Sequence, residues 1–236
     1  MTWSIVARDP ETGQIGIAVA TCAFAVGALV PSVETGIGAV ASQAMVNPFY
    51  GPRGLALLLA GDSPQEAIAT LTAADEGRAD RQLHLMRADG RNAAYTGMAC
   101  VPWCGHEVRE DFSVAGNMLA GPEVVRDTVA AFEASAGRPL FERFLLALRA
   151  GEAAGGDKRG RQSAAMLIHD AEEYPLLDIR VDDHADPLAE LGRLVGVWSG
   201  RPRVYRAAMP SRVRPSGIVG RGAVERFIAG EIAKGG

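Results

Sequence analysis

The chain has 236 residues, a formal net charge of −4, 48% hydrophobic and 22% charged residues. These are ordinary globular values, enough for one large domain or two small ones with a real core. They exclude an overall charge that recruits nucleic acid or an anionic membrane, and no apolar run is long enough to span a bilayer.

The first residues lack the basic flank and unbroken apolar stretch of a secretory signal. The odd number of cysteines, Cys22, Cys100 and Cys104, then fits free thiols in a cytoplasmic protein. Two β-prone runs, Trp3–Ala7 and Ile15–Val19, flank the turn-rich Asp9-Pro10-Glu11-Thr12-Gly13, so a core hairpin starts at residue 2. Past Pro31 comes a third apolar strand, Gly36–Ala41, whose small residues permit close approach of a neighbour or ligand. Asn47-Pro48-Phe49-Tyr50-Gly51-Pro52 breaks the chain before a helix, Arg53–Ala60. Ser63-Pro64 caps the next helix, which runs to about Ala74. Gln82–Arg87 and Asn92–Thr96 flank Ala88-Asp89-Gly90, a hairpin signal. Phe112–Leu119 reads as a strand, and Pro122–Ala136 and Pro139–Ala153 as amphipathic helices. Ser163–His169 and Leu176–Val181 form a last strand pair, and Asp186-Pro187 starts a helix to about Trp198.

The final 36 residues hold eight Lys/Arg against two Glu, a net +6 that leaves −10 on residues 1–200. Repeated Pro and Gly mark residues 200–236 as a basic, partly flexible tail with one short helix near Ala223–Ala233. With Tyr205 and Phe227 as its aromatics, the tail is a poor nucleic-acid arm. Residues 1–199 form the main domain. Its strands and paired helices do not alternate as βαβ, so the expected fold is α+β: two antiparallel sheets stacked face to face with helix layers outside.

Thr2 becomes the chain end if Met1 is removed. A terminal Thr carries both a nucleophilic hydroxyl and an α-amine, of pKa near ~8, that accepts the proton. Such a pair works only if the end is rigidly held, as a strand locked into a sheet would hold it. The plainer alternative is a β-forming residue at the start of a strand. Gly155-Gly156-Asp157-Lys158-Arg159-Gly160-Arg161-Gln162-Ser163 is the densest polar cluster of the main domain. Within it Asp157 is a candidate to orient the terminal ammonium, Arg161 to grip a substrate carboxylate through two prongs, and Ser163 to relay a proton. Asn117 is a candidate oxyanion donor, a role worth roughly 3 kcal/mol. Gln43, Asn47 and Tyr50 are candidate substrate-pocket residues. No metal or cofactor is expected: Cys100-x3-Cys104-Gly105-His106 lacks a second ligand pair, and adjacent residues of Asp182-Asp183-His184 point to opposite faces of a strand. His84, His106 and His169 receive no role.

Several blocks carry a family resemblance: Thr2–Asp9, Gly38–Ala44, Asn47–Leu55, Gly116–Leu119, Ala154–Ala165 and Arg180–His184. In order, over about residues 2–195, they resemble the domain-of-unknown-function 1028 family, which in turn resembles the N-terminal-nucleophile hydrolases. The resemblance implies a four-layer αββα sandwich and an amidohydrolase acting on a small or peptide-like substrate, in the form of a homo-oligomer. Proteasome-type members use a strand lysine beside the nucleophile, whereas this chain has only Lys158 and Lys234. The implied chemistry is therefore that of the amidase branch, where Arg, Asp and Asn surround the terminal residue. The rival reading is a non-catalytic binding or assembly protein on the same fold.

Overall fold

A computed structural model describes residues 2–234; the expected removal of Met1 concerns a residue outside them. The chain divides into two compact units, residues 1–191 and 192–236.

Among the described residues, the first unit holds ten strands in two antiparallel sheets. Strands β1 (Thr2–Arg8), β2 (Ile15–Thr21), β7 (Gly105–Arg109), β8 (Phe112–Asn117), β9 (Ser163–His169) and β10 (Leu177–Val181) form the larger sheet, in the order β10-β9-β2-β1-β8-β7. Strands β3 (Pro31–Glu34), β4 (Gly38–Ala44), β5 (Arg81–Arg87) and β6 (Asn92–Thr96) form the smaller one, in the order β3-β4-β5-β6. Helices α1 (Tyr50–Ala60) and α2 (Pro64–Ala73) pack on the outer face of the smaller sheet, and α3 (Glu123–Ala134) and α4 (Leu140–Ala153) on that of the larger. The result is the expected four-layer αββα sandwich.

Side-chain alternation assigns the faces. Trp3 points to the helix side, where a Cβ on Gly151 would lie 2.8 Å from its indole nitrogen and 2.4 Å from the Thr128 hydroxyl. Ser4 points the other way, onto Gln43 and His84 of the smaller sheet. Val6, Ile17, Val19, Ala39, Ala41, Met86 and Ala165 complete the inter-sheet core, while Val40, Leu83 and Leu85 pack with Leu55, Leu58 and Leu71 under α1 and α2. The capping box of α2 forms as the sequence suggests, Ser63 accepting from the Glu66 backbone and Glu66 accepting from the Ser63 backbone.

Two strands and a helix depart from the sequence reading. Strand β3 occupies Pro31–Glu34, where the proline sits at the first position of an edge strand. Strand β7 is a largely polar edge strand, GHEVR, without the alternation of a half-buried one. In the second unit, α6 (Arg201–Ala208) accompanies α7 (Arg221–Ala233), so the basic segment carries two helices rather than one. Pro202 falls in the first turn of α6, where its missing N–H is harmless. The two helices pack together, with Val204, Ala208 and Ile228 buried and an Arg201–Glu225 ion pair at 2.9 Å. Helix α5 spans Pro187–Ser199. Among the described residues, no helix is long and apolar enough to cross a membrane.

Candidate functional site

The register brings three of the sequence candidates, Thr2, Asn117 and Ser163, to one end of the larger sheet. Thr2 lies opposite Asn117, and Thr21 opposite Ser163. The Thr2 hydroxyl donates to the Thr21 hydroxyl at 3.3 Å. Asn117, Thr2, Thr21 and Ser163 thus make a polar row across β8, β1, β2 and β9. Thr2 is 6% exposed and Asn117 2%. The Asn117 amide donates to the Thr2 carbonyl at 3.4 Å and to Gln82 Oε1 at 2.9 Å.

Asp157 and Ser163 fix the loop that leaves β2 beside this row. The Asp157 carboxylate accepts from the Cys22 backbone at 2.7 Å and from the Arg159 backbone at 2.9 Å, with the Arg159 guanidinium at 3.2 Å. Ser163 Oγ donates to the Ala23 carbonyl at 2.5 Å and accepts from the Val26 N–H at 3.1 Å. Both side chains therefore hold backbone next to Thr21. Arg161 pairs with Glu152, and with Asp186 at 3.4 Å, so two acids already share its charge.

The three expected pocket residues separate. Gln43 is fully buried between the sheets and lines no open space. Asn47 and Tyr50 instead line an outer cleft of about 460 Å³ between α1 and α2, with Arg53, Leu57, Leu71 and Asp75. Asp75 Oδ2 accepts from Asn47 at 3.0 Å, Tyr50 at 2.8 Å and Arg81 at 3.0 Å. The Arg81 guanidinium holds the Asp75 carboxyl well below the usual carboxylate range. Burial, with the Asp75 carboxylate beside it, pushes the Tyr50 phenol up. No residue of the Thr2 row lines this cleft.

Behind the row runs a buried polar seam that the sequence reading missed. Gln43 donates to the Ala115 carbonyl at 3.1 Å and to Gln82 Oε1 at 2.8 Å. Gln82 donates to the Gly116 carbonyl at 2.8 Å and approaches the Gly105 carbonyl at 3.0 Å. Carbonyls only accept, so both glutamine amides have a fixed orientation. Ser4 donates to Gln43 Oε1 at 2.7 Å. Its single proton is then committed, so His84 Nε2, 2.8 Å away, carries a proton and donates to Ser4, while Ser113 donates to His84 Nδ1 at 2.9 Å. Burial pushes His84 down to about 3, with the His106 charge adding to the effect, which keeps the imidazole neutral at ordinary pH. The signal was present in the sequence as polar residues spaced by two or four, Thr2/Ser4, Gln82/His84 and Ser113/Asn117, on faces that should otherwise be apolar.

Backbone strain gathers at the same end. Ala25, Ala44 and Met118 have φ of 53°, 67° and 57°. Each left-handed alanine or methionine costs roughly 1–2 kcal/mol, and such residues concentrate at functional sites. The loops that carry them border the Thr2 row. Met118 and Leu119 donate to the Val101 and Trp103 carbonyls at 2.7 and 2.9 Å.

Fold and site together define a four-layer αββα protein whose second residue starts a central strand at one end of the inter-sheet seam. The chain belongs to a family of unknown function, DUF1028, whose model matches residues 2–191. It is similar to protein SPO2555 from Silicibacter pomeroyi, a crystal structure described with the same family. The two share 34% identity over 94% of this chain and 96% of that one, with a TM-score of 0.86. A distant likeness links it to Anbu (ancestral beta-subunit) from Yersinia bercovieri, at 11% identity over 84% of this chain and 96% of that one, with a TM-score of 0.43. A search of the curated proteins gives no match.

Proposed function

We propose that the protein is an N-terminal-nucleophile amidohydrolase that cleaves an amide bond through an ester intermediate on Thr2. The observation that carries this reading is the placement of Thr2: it starts a central strand, its hydroxyl lies in the row with Thr21, and its carbonyl accepts from Asn117. After loss of Met1, the Thr2 hydroxyl oxygen bonds to the substrate carbonyl carbon while the α-amine takes the hydroxyl proton. The resulting ammonium returns that proton to the leaving nitrogen as the C–N bond breaks. Water, giving a proton to the α-amine, then splits the ester to a carboxylic acid and restores the threonine.

Asn117 is the oxyanion donor of this reading. Its N–H toward the Thr2 carbonyl is held by the longer of its two bonds and is the one that this reading turns to the oxyanion. Asp157 and Ser163 act on the terminus through the loop after Thr21. The reading includes a cytoplasmic homo-oligomer working on a small or peptide-like substrate.

Intact mass of the purified protein is expected to lack Met1. Thr2→Ala is expected to fold and to lose turnover of any amide the wild type hydrolyses by at least roughly a hundredfold; unchanged turnover ends the proposal. The rival reading, a binding or assembly protein, draws support from the burial of Thr2, whose hydroxyl is already bonded to Thr21. It requires that Met1 be retained or that Thr2→Ala change nothing.

A further inference from the structure

The loops at the Thr2 end divide sharply by charge. Residues 22–30, 45–49, 97–104 and 118–122 contain no Asp, Glu, Lys or Arg. These loops continue from β2 and β8, which flank β1, and from β4 and β6 of the smaller sheet. They also carry exposed apolar side chains: Phe24 66%, Leu29 54%, Met45 64%, Met98 96% and Val101 43%, while Phe49 lies instead under the guanidinium of Arg53, which lines the outer cleft. Among the described residues elsewhere in the first unit, the exposed large apolar side chains are Leu59, Val108 and Leu146. A concentration of exposed apolar side chains on the loops of one end is a mark of a binding site.

The charged loops of this end are residues 74–80, 154–162 and 182–186, and most of their charges are matched. Asp75 holds Arg81, Asp157 holds Arg159, Asp186 and Glu152 hold Arg161, and Asp182 holds Arg180. Arg78 and Lys158 have no carboxylate within ion-pair distance among the described residues. The Arg78 guanidinium donates to the Asp75 carbonyl of its own loop at 3.3 Å, whereas the Lys158 ammonium donates to the Pro102 carbonyl at 2.9 Å, on the uncharged 97–104 loop. Lys158 is therefore the unpaired cation that stands against the uncharged loops.

We propose that this mouth recognises N-acyl amino acids: the acyl chain lies on the uncharged loops and the carboxylate of the amino acid meets Lys158. The inference rests on the reading of Thr2 as nucleophile and names its substrate class; cleavage would release a fatty acid and a free amino acid. It moves carboxylate recognition from Arg161, which two acids already occupy, to Lys158.

Binding to Thr2→Ala, measured by titration calorimetry with N-decanoylglycine, decanamide and N-acetylglycine, tests recognition apart from catalysis. N-decanoylglycine is expected to bind at least roughly tenfold more tightly than N-acetylglycine, through burial of part of its chain. It is expected to bind about threefold to fivefold more tightly than decanamide, through one exposed ion pair. Lys158→Gln, made in the same background, is expected to abolish the second preference and keep the first; Phe24→Ser is expected to weaken the first and keep the second. Both side chains are exposed, so neither change removes core packing. Equal binding of the three compounds, or a carboxylate preference that survives Lys158→Gln, overturns the proposal. So does Phe24→Ser splitting an oligomer in sedimentation without changing ligand binding, since the rim is then a self-association face. Binding without hydrolysis by the wild type refutes the reaction and leaves recognition standing; hydrolysis of other amides without this binding pattern does the reverse.

Discussion

Asn117 and Thr2 face each other across β8 and β1, and the Asn117 amide donates to the Thr2 carbonyl at 3.4 Å while its other proton goes to Gln82 at 2.9 Å. A carboxylate in its place presents an oxygen to two acceptors in a buried site. Asn117→Asp is therefore expected to lower the unfolding free energy by about 3 kcal/mol near neutral pH, with Asn117→Ala costing less. Urea denaturation checks this; equal stability of Asn117→Asp and wild type would mean the amide is not held as described.

His84 makes the seam sensitive to acid. Its folded value of about 3 lies below the ordinary 6.5, so below pH 6.5 the unfolded chain binds a proton that the folded one refuses. Stability from this group is complete above pH 6.5 and is lost as pH falls toward 3. The loss approaches about 3 kcal/mol by pH 4, at 1.36 kcal/mol per pH unit. His84→Gln is expected to flatten that part of the stability–pH curve, measured by urea titration at pH 7, 6, 5 and 4. A variant curve parallel to wild type would show that His84 titrates normally.

Ser163 ties down the loop after β2 through Ala23 and Val26. Ser163→Ala leaves a carbonyl and an N–H without that partner, at a cost of roughly 1–3 kcal/mol. Amide hydrogen exchange is expected to speed up in residues 22–30 while β9 stays protected apart from a uniform shift. Unchanged protection of the Val26 amide would count against the assignment.

Gly151 lets α4 approach β1. A methyl group there would press on the Thr128 hydroxyl and the Trp3 indole, and Trp3 is the neighbour of Thr2. Gly151→Ala is expected to cost about 1–3 kcal/mol by overpacking, beyond any gain in helix propensity. Thermal unfolding reads the loss. A higher melting temperature would show that the helix layer yields easily at this point.

The architecture was legible because its apolar runs alternate in period two and its helix starts are punctuated: Ser63-Pro64 forms the capping box, and Ser163–His169 emerges as a strand with the expected limits. The ends of the sandwich were less so. Strand β7 is polar and lies at an edge, where one side pairs with no strand. Helix α6 combines Pro202 with three arginines, a composition that reads as a broken tail until the proline is seen in the first turn. In the site, Thr2, Asn117 and Ser163 lie on separate stretches, and only strand register brings them to one end, which Asp157 joins through its bridge to Leu119. Asn47 and Tyr50 shared a stretch with Gln43 in the sequence, yet a strand end and a helix start carry them to the far side of the smaller sheet. The partners of Gln82 and His84 lie on strands distant in the chain, and no local pattern announces them.

The proton order from Ser113 through His84 and Ser4 to Gln43 and Gln82 has a consequence for descent as well as stability. His84, Ser4, Gln43 and Gln82 each receive from one side and give to the other, and the backbone carbonyls at Ala115 and Gly116 forbid the reverse sense. Exchange of any of these four side chains strands the groups on both sides of it. Relatives that depart from this interior are thus expected to have replaced the whole run together, either by another polar set or by hydrocarbon.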